Sequence, residues 1–126
     1  MDLSYEVIGA ALEVHTILGP GLLESLYQKA LIKELLLRGF EVKKEVPVQV
    51  TYKDELISDN LRIDLLVNNE LIVEIKSVEE IHPVHFKQLA SYLKLYNKRV
   101  GLLINFNVQS LKEGIHRVVN PYYGKV

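Results

Sequence analysis

Arg62-Ile63-Asp64-Leu65-Leu66-Val67-Asn68-Asn69-Glu70-Leu71-Ile72-Val73-Glu74-Ile75-Lys76 reads as two strands joined by a tight turn. Side chains alternate along a strand, so Ile63, Leu65 and Val67 share one face while Arg62 and Asp64 share the other. In the second strand, Leu71, Val73 and Ile75 lie opposite Glu74 and Lys76. A three-residue loop at Asn68-Asn69-Glu70 that pairs Val67 with Leu71 makes the two apolar faces coincide. The same register sets Asp64 directly across from Glu74, at about 5 Å between Cβ atoms, with the Lys76 amine beside them.

Like charges directly opposite each other destabilise a sheet, so this pair needs compensation. A hard divalent cation such as Mg²⁺ or Mn²⁺ supplies it, because such ions take carboxylate oxygens and share their remaining positions with water and phosphate. Neutralisation by Lys76 and Arg62 in a solvated salt-bridge cluster supplies it as well. The pairing alone leaves both readings open.

Working outward, Ser4 to Leu18 carries Val7, Ile8, Ala11, Val14 and Ile17-Leu18 at helical spacing, with Ser4 available as an N-cap. Gly19-Pro20-Gly21 ends that helix. A second helix runs from about Leu22 to Arg38 with Leu23, Leu26, Ala30, Leu31 and Leu35 inward, and Gly39 suits its C′ position. Alternating, Val-rich sequence from Glu41 to Tyr52 predicts a strand, Asp54-Glu55 a turn, and Leu56 to Val67 and Leu71 to Ser77 two further strands. Pro83 suits the first turn of a helix reaching Asn97, and Val100 to Phe106 reads as a buried strand. Leu111 to Val119 is ambiguous between an edge strand and a short helix, and the alternation of its second half favours the strand. The expectation is one α/β domain over residues 1–126, with a mixed sheet flanked by helices.

Composition narrows the chemistry. With 126 residues and no cysteine, the chain has neither a disulfide framework nor thiolate chemistry, which suits a reducing cytosol. No apolar run approaches the roughly 18 residues of a membrane span, so the expectation is a soluble, cytoplasmic protein without a membrane partner. The formal net charge of -1 lacks the basic footprint of a dedicated nucleic-acid binder. It weighs less against a nuclease, whose acidic ligands lower the net charge and whose cations restore positive potential locally.

Asp64 followed by Glu74-Ile75-Lys76 resembles the D…(D/E)xK motif of the PD-(D/E)XK nuclease superfamily. The order of elements is similar to its restriction-endonuclease-like αβββαβ core with one helix added in front. Gly21-Leu22-Leu23-Glu24-Ser25-Leu26-Tyr27 resembles the signature that names the GxxExxY protein family, over roughly Ser4 to Val119. Gln88-Leu89-Ala90-Ser91-Tyr92 is similar to the QxxxY motif of RecB-like members. The resemblance implies Mg²⁺ or Mn²⁺ held by Asp64 and Glu74, with the Ile75 carbonyl and Glu24 as further oxygen ligands. It also implies a water-handling role for Lys76, and roles for Gln88 and Tyr92 in orienting substrate or ligands. Glu24 and Tyr27, three apart, share a helix face, as do Gln88 and Tyr92, four apart. The plainer alternatives are that Glu24 complements a helix N-terminus, Tyr27 packs, and Gln88 and Tyr92 occupy a wet face.

His82 and His85 flank Pro83 next to the end of the Glu74-Ile75-Lys76 strand; a solvated cap region accounts for them more readily than phosphate contact. Ser77 either orients a water or ends the strand. Three functions compete: a metal-dependent nuclease acting on DNA before RNA, a non-catalytic binding or assembly module of a larger complex, and a hydrolase of small phosphorylated substrates. Homodimerisation is compatible with each.

Overall fold

The computed structural model describes residues 2–125. Its elements run α1 (Ser4–Leu18), α2 (Glu24–Leu37), β1 (Val42–Tyr52), β2 (Glu55–Val67), β3 (Leu71–Lys76), α3 (Pro83–Tyr96), β4 (Val100–Asn105), a 3-10 turn (Leu111–Gly114) and β5 (Ile115–Val119). The sheet order is β1-β2-β3-β4-β5, antiparallel except for the β3/β4 pair that α3 connects. The mixed sheet with flanking helices is the expected architecture. The ambiguous tail divides: its first half coils as a 3-10 turn and its alternating half adds the last strand.

Both faces of the sheet are buried. Val7, Ala11 and Val14 of α1 and Leu31 and Leu35 of α2 pack with Leu65, Val73 and Leu102 on one side. Leu89 and Leu93 of α3 cover Leu66, Ile72 and Leu103 on the other. This sandwiching explains why β3 and β4 are apolar at nearly every position rather than at alternate ones. Glu74 and Asn105 are their buried polar exceptions.

Several local expectations are corrected. Ser4 is the first helical residue rather than the cap; the Asp2 carboxylate accepts from the Ser4 N–H and hydroxyl and pairs with Arg117. Leu23 and Leu26 are exposed, because α2 begins only at Glu24 and turns the Tyr27, Leu31, Leu35 stripe to the core. Gly39, at φ 88, closes that helix: its N–H donates to Leu36 O and the Phe40 N–H to Leu35 O, satisfying carbonyls the helix leaves open.

Tyr27 organises the turn before α2. It is fully buried, stacks on Phe106 at 4.5 Å between ring centroids, donates its hydroxyl to Gly19 O and accepts the Leu22 N–H at 3.1 Å. Removing that hydroxyl strands two backbone groups. Tyr27→Phe is therefore expected to lose about 1–3 kcal/mol of unfolding free energy, read as a lower urea midpoint at unchanged slope. A midpoint equal to wild type would show that the latch contributes nothing.

Candidate metal centre

The β2/β3 register matches the sequence expectation: Val67 pairs with Leu71, Leu66 with Ile72 and Leu65 with Val73. The next pair in this series is Asp64 and Glu74, and there the backbone ladder stops. Side chains replace it. Glu74 Oε1 accepts the Asp64 N–H at 3.1 Å, and Asp64 Oδ2 accepts the Ile75 N–H at 2.8 Å. The Asp64 carbonyl is bonded by the Gln28 amide of α2 at 3.3 Å.

The ladder to β1 is interrupted at the same level. Lys44 pairs with Leu65 and Val46 with Ile63, but Glu45, which faces Asp64 between them, is skipped and sits at φ 51. A positive φ at a non-glycine residue costs energy and marks an over-determined position. Beyond this break the hairpin exchanges faces. Ile63, expected beside Leu65 and Val67, packs instead with Val46, Leu66 and Leu89 on the α3 side. Five of the six aliphatics remain on the expected face.

Asp64 and Glu74 thus stand side by side at the point where the strands separate, Asp64 half-buried and Glu74 only 6% exposed. The described residues form ion pairs at Arg38–Glu34 and Arg117–Asp2, and neither involves this pair. Arg62 is exposed and spends its guanidinium on the Asp59 and Leu61 carbonyls. Lys76, half-buried, is near enough to favour both carboxylates electrostatically without pairing with either. The salt-bridge cluster left open by the sequence is therefore not formed.

The electrostatic consequence is a raised proton affinity. Burial first, and then the charge of Asp64, push the Glu74 carboxyl up to about 8, against the opposing bond from the Asp64 N–H. Burial likewise raises Asp64, with Glu45 and Glu24 adding to it and the Ile75 N–H and Lys76 opposing. Sequence reasoning missed Glu45, whose charge bears on both carboxylates, and Gln28, which holds Asp64 in place.

The donor set suits a hard divalent cation. Each carboxylate spends one oxygen on a backbone N–H; among the described residues no donor engages Asp64 Oδ1 or Glu74 Oε2. The Lys76 carbonyl accepts from the Phe106 N–H of the neighbouring chain segment, so alternation turns the Ile75 carbonyl toward β2 and Asp64. Glu24, exposed in the first turn of α2, acts on Asp64 by charge alone. Among the described residues no group of three His, Cys, Asp or Glu side chains converges on one metal position. The protein therefore offers two carboxylates and a carbonyl, the share Mg²⁺ commonly takes while keeping water and phosphate.

α3 closes the other wall. Gln88 Nε2 donates to the Tyr92 hydroxyl at 3.1 Å, and burial followed by the Glu74 charge raises the Tyr92 phenol. Gln88 and Tyr92 thus share a face beside the carboxylates, with the Tyr92 O–H left to donate. The Ser77 hydroxyl donates to Leu22 O, tying the end of β3 to the start of α2. Asn105 holds the following segment, accepting from the Val78 and Asn107 N–H groups and donating to Val78 O.

Residues 1–118 match the family model of the PD-(D/E)XK nuclease superfamily, and the chain belongs to that superfamily. Its five-stranded mixed sheet with flanking helices is the restriction-endonuclease-like fold of these proteins. No curated protein and no solved structure gives a significant match. No described helix is long and apolar enough to cross a membrane.

A folded-state affinity raised above the unfolded value makes stability greatest at low pH and removes it as pH rises through about 8. In chelator, the apo protein should melt progressively lower from pH 5 to pH 8. Asp2, held below the usual carboxylate range by Ser4 and Arg117, titrates beneath this window. Glu74→Gln should flatten the slope, and an unchanged slope would clear Glu74 as its source. Mn²⁺ should raise the melting temperature more at pH 8 than at pH 5.5, because binding must displace the proton.

Proposed function

We propose that the chain is a metal-dependent nuclease hydrolysing phosphodiester bonds in DNA, with RNA the less favoured substrate. One observation carries this reading. Two adjacent carboxylates, Glu74 buried and Asp64 half-buried, stand at a break in the sheet of a PD-(D/E)XK superfamily chain, and among the described residues no cation is paired to them. Keeping such a pair costs the apo protein stability, and a phosphodiesterase centre gives that cost a use.

Asp64 and Glu74, with the Ile75 carbonyl, would hold Mg²⁺ or Mn²⁺, and Glu24 would bear on the ion from the α2 rim. When bound, the cation lowers the pKa of a coordinated water and offsets charge at the phosphate. The Lys76 amine, on the strand that supplies Glu74, would position the attacking water and assist its deprotonation. A lysine suits this role because its amine is a compact donor on a flexible stem. Gln88 fixes the Tyr92 hydroxyl, which orients the substrate or a ligand water. We place the chain in the GxxExxY family on Gly21, Glu24 and Tyr27, and with the RecB-like members on Gln88 and Tyr92. The absence of cysteine fits a cytoplasmic setting.

The net charge of -1 favours a second reading, a binding or assembly module whose partner supplies the basic surface. Cleavage assays on single-stranded, duplex and nicked DNA and on RNA, in Mn²⁺ and in chelator, separate the two. The nuclease reading expects metal-dependent products from wild type and none from Asp64→Ala. Absence of cleavage across the panel would transfer preference to the module.

Calorimetry should show Mn²⁺ binding to wild type and its loss in Asp64→Ala and Glu74→Ala; retained affinity in both would misplace the centre. Lys76→Ala is expected to bind Mn²⁺ about as well as wild type while losing roughly 10² to 10⁴ in single-turnover rate. Lys76→Arg should not restore the rate, since guanidinium stays protonated and differs in shape. Undiminished cleavage by Lys76→Ala would remove the amine from the mechanism.

A further inference from the structure

His85, Gln88 and Tyr92 are spaced three and four apart along α3, so they form one stripe of that helix. The Gln88–Tyr92 hydrogen bond confirms the shared face, and the Tyr92 end of the stripe lies within the influence of Glu74 and Asp64. The His85 end lies within the influence of Lys76 and Glu24. Tyr92 and Leu89 pack with Ile72, on the sheet face to which Glu74 and Lys76 alternate, so the stripe lies beside the candidate centre.

The His85 ring has a fixed orientation. Its Nδ1 accepts the His82 N–H at 3.0 Å, while the His85 N–H donates to His82 O at 2.9 Å. A neutral imidazole that accepts through Nδ1 carries its proton on Nε2. Partial burial first, then the positive charge of Lys76, lowers the basicity of the ring and favours that neutral form. The cap reading of the sequence is correct for Nδ1, but it leaves Nε2–H unused by any described residue.

We propose that His85 is a phosphate-contacting residue: its Nε2–H, beside Lys76, donates a hydrogen bond to a non-bridging oxygen of the phosphodiester held at the Asp64–Glu74 centre. The proposal rests on the nuclease reading. A neutral donor suits this position, since it adds a directed bond to the phosphate without a second cation to repel the lysine.

Two conservative substitutions separate this role from capping. His85→Asn retains an acceptor near Nδ1 and loses the distal donor; His85→Gln places an amide N–H near Nε2 and loses the cap. The full chain is assayed for Mn²⁺-dependent cleavage of a fluorescein-labelled oligonucleotide, single-stranded and duplex, and for binding of the same oligonucleotides in Ca²⁺ by anisotropy, with thermal unfolding alongside. Loss of a hydrogen bond to a charged group predicts a fall in kcat/KM and affinity of roughly tenfold to a hundredfold for His85→Ala and His85→Asn. His85→Gln is expected to stay near wild type in both readouts while melting slightly lower. A reversed order, with Asn near wild type and Gln impaired, would assign His85 to capping alone. Equal loss or equal retention in the two variants also overturns the proposal. If wild type cleaves and His85→Ala matches it, only this inference fails; if wild type neither binds nor cleaves either oligonucleotide, it fails together with the nuclease reading.

Discussion

The structure depends on one short turn. Asn68-Asn69-Glu70 fixes the pairing of Val67 with Leu71, and everything about the centre follows from continuing that register to Asp64 and Glu74. A slip of one residue would put the two carboxylates on opposite faces of the sheet and take the aliphatics of one strand out of their core layer. Burial of Leu65, Val73 and Ile75 under α1 and α2 makes such a slip costly. The hydrophobic core thereby holds together two groups that repel.

The ladder break at Asp64 lets them coexist. Were the backbone pairing continuous, the N–H groups of Asp64 and Ile75 would be committed to the sheet. Released from it, each takes a carboxylate oxygen as acceptor, which stabilises the charged forms and orients the remaining oxygens. These bonds do not offset burial fully, and Glu74 stays up at about 8. A cation that completes the site stabilises the fold through the same groups.

Around the centre, rigidity comes from side chains outside it. Tyr27 ties Gly19 to Leu22, Ser77 ties Leu22 to the strand carrying Glu74 and Lys76, and Asn105 holds the segment that leads to α3. His15 reaches Val108 O at 2.7 Å and flanks Phe106, on which Tyr27 stacks. The two helical walls are thus referenced to the same strand ends. Ties of this kind hold the groups of the candidate centre in place before any ligand arrives.

Local pattern was enough for much of this. Period-two alternation and a three-residue turn determine the β2/β3 register because a short loop leaves the chain little choice, and helical spacing alone places Gln88 beside Tyr92. The long β1/β2 hairpin is different. Counted from its turn, where Tyr52 pairs with Glu55, the register would set Asp64 across from Lys43, a neutral pair. Two irregularities between Val48 and Thr51 each shift it by one residue, and Glu45 faces Asp64 instead. Sequence could not show this, because bulges and the positive φ of Glu45 are favoured only by the packing of the completed sheet. For the same reason the fate of Ile63, the inward turn of Tyr27 and the bond from Gln28 to Asp64 were decided in three dimensions. Residue types and short-range spacing determined which groups the centre has; long-range packing determined which charges surround them.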